Sequence, residues 1–87
     1  EDVALVVDDD VTAEALRSAL AAGGGDLLES VRLFDVYSGP QVPEGKKSLA
    51  FSLRLRAPDR TLTDEDITGV REAALAAAAE LGAALRT

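Results

Sequence analysis

The acidic residues are the groups in this chain that could take part in catalysis or hold a cation, and they cluster in two triplets. Residues 8–10 are three aspartates after an apolar run, and residues 64–66 are Asp, Glu and Asp after a threonine. Adjacent side chains at the end of a strand point in different directions, whereas a cation site needs converging oxygens. Carboxylates at a helix start are also stabilised by the helix dipole without a ligand. We therefore interpret both triplets as solvated helix entrances.

Basic residues are the second candidate for chemistry, because they follow the predicted strands. Residues 48–56 alternate between leucine or phenylalanine on one face and serine, alanine or arginine on the other. This period predicts a strand with one buried face and one face available to water. The basic residues in or beside predicted strands are Arg32, Lys46, Lys47, Arg54, Arg56 and Arg86. Such a strip can contact nucleic acid, but exposed strands also carry arginine because its stem packs while its head stays wet.

Composition excludes several kinds of site. The chain has 87 residues, a formal net charge of −7, and no cysteine or histidine. Thiolate and imidazole metal sites, disulfides and Cys or Ser–His nucleophiles are therefore excluded. Aromatic residues make up only 3% of the chain, so the core must be aliphatic and little remains for stacking bases. The acidic balance argues against generic nucleic-acid binding, although the charge of one face can differ in sign from the net charge.

Two helices begin at recognisable caps. Thr12 is placed as the N-cap of the first helix, with Val11 and Leu16 forming a hydrophobic staple. Thr63 is placed as the N-cap of the second helix, with Asp66 three residues later. The threonine hydroxyls are expected to accept hydrogen bonds from the free backbone N–H groups of the first turn.

Glycines mark where these helices end and where one of them approaches a neighbour. The triplet at residues 23–25 is expected to end the first helix, and Gly82 the second. The triplet is not placed to cradle a phosphate, because phosphate loops precede a helix. Gly69 lies inside the second helix at a cost of about 1 kcal/mol relative to alanine. We expect it to mark a close approach to another element.

Four strands complete the pattern: residues 3–7, a strand ending at Tyr37, residues 46–57 and residues 83–86. In the second strand the inward parity changes near Leu33 and Phe34, which predicts a β-bulge. The connection over residues 38–45 is longer than most hairpin loops.

The order βαββαβ predicts an α+β, ferredoxin-like sandwich. Right-handed crossovers place both helices on one face of a four-stranded antiparallel sheet and leave the other face open. Parity puts Arg54 and Arg56 on the open face, and Arg86 joins them if Leu85 points inward. The length indicates one domain over residues 1–87. Because the chain begins at Glu1 and contains no methionine, we expect it to be a fragment of something longer.

The fold class hosts several functions, and missing residues exclude some of them. Metal-chaperone versions need a cysteine pair, and RNA-recognition motifs need aromatic residues on the central strands. Acylphosphatase-type chemistry needs an asparagine beside an arginine, and the chain has no asparagine. A non-catalytic binding domain and a purely structural module both remain.

Four segments carry a family resemblance. They are DVALVVDDDVTAEAL (2–16), LLESVRLFDVYSG (27–39), GKKSLAFSLRLRAPDRTLTDEDI (45–67) and GAALR (82–86). They resemble the ferredoxin-fold anticodon-binding domain at the C-terminus of the β subunit of bacterial phenylalanine–tRNA ligase. The resemblance covers nearly the whole chain, and the combination of LFDVY, GKKSLAF and DRTLTDE is specific.

The resemblance implies a place in a larger enzyme. The parent would be an α2β2 tetramer whose catalytic α subunit binds phenylalanine and ATP, with Mg²⁺ as a further cofactor. This domain would hold no cofactor and perform no chemistry, and it would contact the anticodon region of phenylalanine tRNA. A cytoplasmic location is expected, because no apolar run approaches the roughly 18 residues of a membrane-spanning helix.

The candidate RNA-binding residues are Arg32, Lys46, Arg54, Arg56, Arg86, Phe34 and Tyr37. Arginine planes and aromatic rings can stack on unpaired bases. With a net charge of −7, binding would use a local patch with few phosphate contacts and a shallow salt dependence. Two alternatives stay open: a structural or protein-docking module with little RNA binding of its own, and a small-ligand domain, which requires a defined apolar pocket.

Overall fold

A computed structural model describes residues 1–86 and contains the six predicted elements in the predicted order. They are β1 (Asp2–Asp8), α1 (Ala13–Gly24), β2 (Leu28–Tyr37), β3 (Lys46–Leu55), α2 (Asp64–Ala79) and β4 (Ala84–Leu85). The strands form one antiparallel sheet in the order β2-β3-β1-β4. The ferredoxin-like α+β fold is confirmed. Within the described range, neither helix is long and apolar enough to cross a membrane.

The core lies between one sheet face and the two helices. Alternate strand residues point into it, and the register pairs Val3 with Phe51 and Leu5 with Leu49 across the two central strands. Leu16 and Leu20 of α1 cover the core on the side opposite the sheet. The sheet residues of the core are Val3, Leu5, Val7, Val31, Leu49, Phe51 and Leu53. Since all of them leave the same side of the sheet, the opposite side is uncovered by any helix.

The predicted bulge in β2 is present and decides which face its later residues occupy. The register pairs Leu33 with Phe51 but then Asp35 with Ala50, so Phe34 is the extra residue. The shift returns Asp35 and Tyr37 to the open face. A second shift between Leu28 and Ser30, which the sequence pattern did not predict, makes Glu29 an extra residue at the start of the strand.

The glycine expectations need two corrections. The helix α1 continues through Gly23 and Gly24, and only Gly25, with φ of 75°, ends it. A Cβ built on Gly23 would lie 2.5 Å from the Cβ of Ala77 in α2, so this glycine allows the helices to touch. Gly69 marks no such approach: it is exposed, and its Cβ would meet no atom within 4 Å. The close contact is therefore made by the end of α1.

The entrance to α2 confirms the predicted cap. The backbone N–H of Asp66 donates to the Thr63 hydroxyl at 3.1 Å, and the Asp66 carboxylate accepts from the Thr63 N–H at 2.9 Å. Arg60 also forms an ion pair with Asp66, with Nη2 to Oδ1 at 3.3 Å. The Arg60 guanidinium and, next, the Thr63 N–H lower the pKa of Asp66 from 3.8 to about 2.

This lowered pKa predicts that the contribution of Asp66 to the stability of the fold is lost in acid. The Asp66 charge stabilises the fold above about pH 4, and that contribution disappears as the pH falls towards 2. Asp66→Asn keeps an oxygen for the Thr63 N–H but removes the charge. We expect it to lower the thermal midpoint at pH 7, and the difference from wild type to shrink between pH 4 and pH 2. A difference that stays constant across this range contradicts the ion-pair account.

Candidate nucleic-acid interface

The open sheet face has a floor of small side chains. Asp35, Ala50 and Ala4 form one row across β2, β3 and β1, and the Arg86 N–H continues it by donating to the Ala4 carbonyl at 2.8 Å. Alanine leaves the backbone close to the surface. A flat group such as a nucleic-acid base can therefore lie against this row, with a carboxylate at one end and a guanidinium at the other.

An arginine–tyrosine stack lies beside this floor. The Arg86 guanidinium carbon lies 4.8 Å from the centroid of the Tyr37 ring, within cation–π range. Its Nη1 donates to the Ser48 hydroxyl at 3.5 Å, and its Nη2 donates to the side-chain oxygen Oε1 of Gln41 at 2.9 Å. Ser48 is only 3% exposed although its parity places it on the open face, because these neighbours cover it. We call Tyr37, Gln41, Ser48 and Arg86 the stack cluster.

The orientation of Arg86 follows from the register of the last strand. Leu85 pairs with Leu5, a core residue, so Leu85 points to the helix side and Arg86 to the open side. This is the arrangement on which the sequence prediction for Arg86 depended. At the sheet edge Leu85 is still 43% exposed.

The other predicted cations face carboxylates. Arg54 Nε lies 3.1 Å from the Glu29 carboxylate, and Arg56 Nη1 lies 3.8 Å from its other oxygen. Lys46 Nζ donates to Asp8 at 2.9 Å. These contacts reduce the positive field of the strip. The bulge that presents Glu29 was invisible in the sequence pattern, which explains why this neutralisation was not expected.

Arg32 and Phe34 are the remaining candidates. Arg32 pairs with Ser52 on the open face and is exposed, and among residues 1–86 it makes no ion pair. Phe34 is the extra residue of the bulge and is 48% exposed. Both are therefore accessible to a ligand from the side of β2.

Six of the seven candidates lie in two groups along β3. Tyr37 and Arg86 lie near Ser48, with Lys46 beyond them, whereas Arg32, Arg54 and Arg56 lie towards the other end. Phe34 lies between the groups, at the bulge beside Ala50 and Phe51. Arg54 lies six positions after Ser48, which corresponds to about 20 Å along an extended strand. The residue missed by the sequence analysis is Gln41, and its only signal was the unusual length of the loop that carries it.

Charge is distributed unevenly between the two layers. The open face and its edges carry five cations, Arg32, Lys46, Arg54, Arg56 and Arg86, and four acids, Asp2, Asp8, Glu29 and Asp35. The helices carry the acids Glu14, Asp64, Glu65, Asp66 and Glu72 against only Arg17 and Arg71. The sheet face is therefore near balance, and most of the net charge of −7 lies on the helices and turns.

The acidic triplets do not build a metal centre. In the described part of the chain, no group of three Asp or Glu side chains is placed to hold an ion. Asp8 pairs with Lys46, and the Asp9 carbonyl accepts from Lys47 Nζ at 3.1 Å. A depression of about 390 Å³ beside the β2–β3 connection is open to solvent. It lacks the enclosed apolar shape that the small-ligand hypothesis requires.

Together, the βαββαβ order, the one-sided helix layer and the stack cluster define a ferredoxin-like domain whose uncovered sheet face is the candidate binding surface. Residues 1–86 match the model of the family described as the ferredoxin-fold anticodon binding domain. The chain belongs to this family, and the resemblance seen in its sequence is confirmed.

Three relatives of the chain are phenylalanine–tRNA ligase β subunits. The chain is 63% identical over 87 residues to the phenylalanine–tRNA ligase β subunit of Thermobifida fusca, covering 99% of this chain and 10% of that protein. It is 60% identical over 88 residues to the same subunit of Cutibacterium acnes, covering 100% of this chain and 10% of that protein. The corresponding subunit of Mycolicibacterium paratuberculosis is 58% identical over 88 residues. The chain thus spans about a tenth of the length of these relatives.

Proposed function

We propose that this chain is the anticodon-binding domain of a phenylalanine–tRNA ligase β subunit and binds the anticodon region of phenylalanine tRNA on its open sheet face. Family membership and the names of the relatives support the partner. The observation that supports the open sheet face as the binding surface is the stack of Arg86 on Tyr37, beside the row that contains Ala4 and Ala50.

This geometry suits unpaired bases. Anticodon bases are single-stranded, and proteins recognise such bases by stacking them on aromatic rings or guanidinium planes. The small side chains of Ala4 and Ala50 leave room for a base against the sheet. Asp35, at the end of the same row, can only accept hydrogen bonds when ionised, so it favours base edges that present N–H groups. Arg86 supplies donors and a positive charge at the opposite end.

The parent assembly follows as part of the same proposal. The chain would be one domain of a longer β subunit that pairs with a catalytic α subunit in an α2β2 tetramer in the cytoplasm. ATP and Mg²⁺ would act at the active site on the α subunit. The role of this domain would be to select and orient the tRNA rather than to transfer the amino acid.

An NMR titration of the 87-residue chain with a phenylalanine anticodon stem-loop tests this function. We expect shifts on Ala4, Tyr37, Ala50 and Arg86, and little change on the two helices. Because few phosphates are contacted, the slope of log affinity against log salt should be shallow, at about −0.7 per contact for single strands. Shifts confined to the helices would contradict the assignment of the sheet face. No shifts at high RNA concentration would favour the docking or structural role instead.

Single substitutions sharpen the test. Arg86→Ala removes the stacked guanidinium, and we expect the affinity for the stem-loop to fall by about tenfold, in line with about 1–3 kcal/mol for a stacking contact. The matched control is Arg17→Ala, which removes the same charge from helix α1 and should leave binding nearly unchanged. Equal losses in both variants would mean that only net charge matters.

The triple variant Lys46→Ala/Arg54→Ala/Arg56→Ala should lower the affinity less than Arg86→Ala does, because carboxylates already face these three cations.

A further inference from the structure

The connection between β2 and β3 is a folded unit rather than a loose loop. Val42 at its centre is only 6% exposed. The Val42 N–H donates to the Gly39 carbonyl at 3.0 Å, and the Lys46 N–H donates to the Pro43 carbonyl at 3.1 Å. The Asp9 N–H donates to the Gly45 carbonyl at 3.0 Å, which ties the connection to the end of β1. A side chain next to Val42 is therefore carried on a fixed backbone.

Gln41 is that side chain, and it reaches the terminal strand. Its Oε1 accepts from Arg86 Nη2 at 2.9 Å, while Ser48 accepts from Nη1 on the other side of the guanidinium. Two acceptors at separate nitrogens fix the plane of a guanidinium, because its donors form a rigid fork. The contact joins residues 45 positions apart in the chain.

Arg86 needs this support because its own strand is short. β4 contains only Ala84 and Leu85, and its pairing with β1 ends with the Arg86 N–H. A long side chain at the end of such a strand is free to adopt many rotamers, and ordering it on binding would cost affinity.

The chemical type of Gln41 is also informative. Lys46, Arg54 and Arg56 face carboxylates, whereas Arg86 is held by a neutral amide and a hydroxyl. A neutral acceptor fixes the geometry of the guanidinium without cancelling its charge. Among residues 1–86 no carboxylate forms an ion pair with Arg86, so its charge remains available to an anionic ligand.

We propose that Gln41 is a positioning residue that holds the Arg86 guanidinium over Tyr37 before RNA arrives, and that it does so as a neutral acceptor so that the positive charge is preserved. The effect of Gln41 on RNA affinity rests on the proposed RNA-binding function. The geometric part, the orientation of Arg86 over Tyr37, can be tested without RNA. The neutral amide would set orientation, and Arg86 and Tyr37 would contact the ligand.

The geometric part can be measured directly, because Tyr37 is the only tyrosine and the chain has no tryptophan. Intrinsic fluorescence and the ring NMR signals of Tyr37 therefore report the surroundings of this one ring, which include the Arg86 guanidinium. In Gln41→Ala we expect these signals to move towards those of Arg86→Ala, and the Arg86 Nε–H to exchange faster with solvent. The matched control is Glu44→Ala in the same connection, which should leave the Tyr37 signals at their wild-type positions. Wild-type Tyr37 and Arg86 signals in Gln41→Ala would overturn the proposal.

The charge part is tested with Gln41→Glu. The carboxylate can still accept from Arg86, so the Tyr37 signals should stay close to wild type, while affinity for the anticodon stem-loop falls. Gln41→Ala should weaken binding about three- to tenfold, the range of one lost hydrogen bond. Unchanged affinity in Gln41→Glu would overturn the charge argument. If Arg86→Ala binds RNA as wild type does, the proposal that RNA binds at the stack cluster is wrong. The Tyr37 signals of Gln41→Ala still decide separately whether Gln41 positions Arg86.

Discussion

Replacing Phe51 by alanine is expected to lower the free energy of unfolding by about 3–5 kcal/mol, the usual cost of deleting a buried phenylalanine. Phe51 is 0% exposed and is the largest fully buried side chain, at the centre of β3. Domains of this kind are stable by only about 5–15 kcal/mol, so the loss removes a large part of the total. The open face depends on it too, because Ala50 and Ser52 flank Phe51 on that side.

The matched control is the chain's other phenylalanine. Phe34 is 48% exposed in the bulge of β2, and Phe34→Ala should change stability by no more than about 0.5 kcal/mol. Urea unfolding of both variants, followed by circular dichroism, compares them under the same conditions. Similar losses in the two variants would mean that the core is not arranged around Phe51 as described.

Two helix glycines are expected to respond to the same substitution with opposite signs. Gly23→Ala places a Cβ 2.5 Å from Ala77 Cβ and 2.9 Å from the Ala73 carbonyl oxygen. The helices must separate, and overpacking of this kind costs about 1–3 kcal/mol. Gly69→Ala meets no atom within 4 Å on an exposed part of α2, so it should gain up to about 1 kcal/mol from helix propensity.

Unfolding midpoints of the two variants against wild type measure this contrast. Both substitutions add one methyl group and raise helix propensity, so the difference between them isolates the contact with α2. If Gly23→Ala is stabilised like Gly69→Ala, the helices do not touch at this position. The midpoint of the double variant should lie near the sum of the two shifts, because the sites share no contact.

Local patterns were sufficient for most of the fold. The alternation of residues 48–56, the threonine caps and the order of elements predicted the ferredoxin-like sheet, and the parity change in β2 predicted the bulge at Phe34. The roles of the glycines were harder to predict, because glycine is used both to end a helix and to allow another element to approach closely. Gly23 could be distinguished from Gly69 only after the helices were placed together.

The candidate site shows where sequence reasoning stops. Arg86 and Tyr37 were both named, but their stacking depends on strands that are far apart in the chain. The neutralisation of Arg54 by Glu29 depends on an extra residue that breaks the register. Gln41 reaches Arg86 through the folding of a connection whose length alone was visible. Non-local contacts of this kind are decided by register and loop shape, which composition does not encode. The seven RNA-binding residues stay predictions until binding is measured.

The uneven charge of the two layers has a consequence for encounters with nucleic acids in a crowded cell. A polyanion that approaches the helices meets a field of its own sign, and only an approach to the sheet escapes this repulsion. The acidic helices would therefore disfavour encounters in which RNA meets the helix layer, and favour those that bring it to the sheet face. Because this field repels every RNA alike, it would set the orientation of binding and not the choice of RNA, at the expense of long-range attraction.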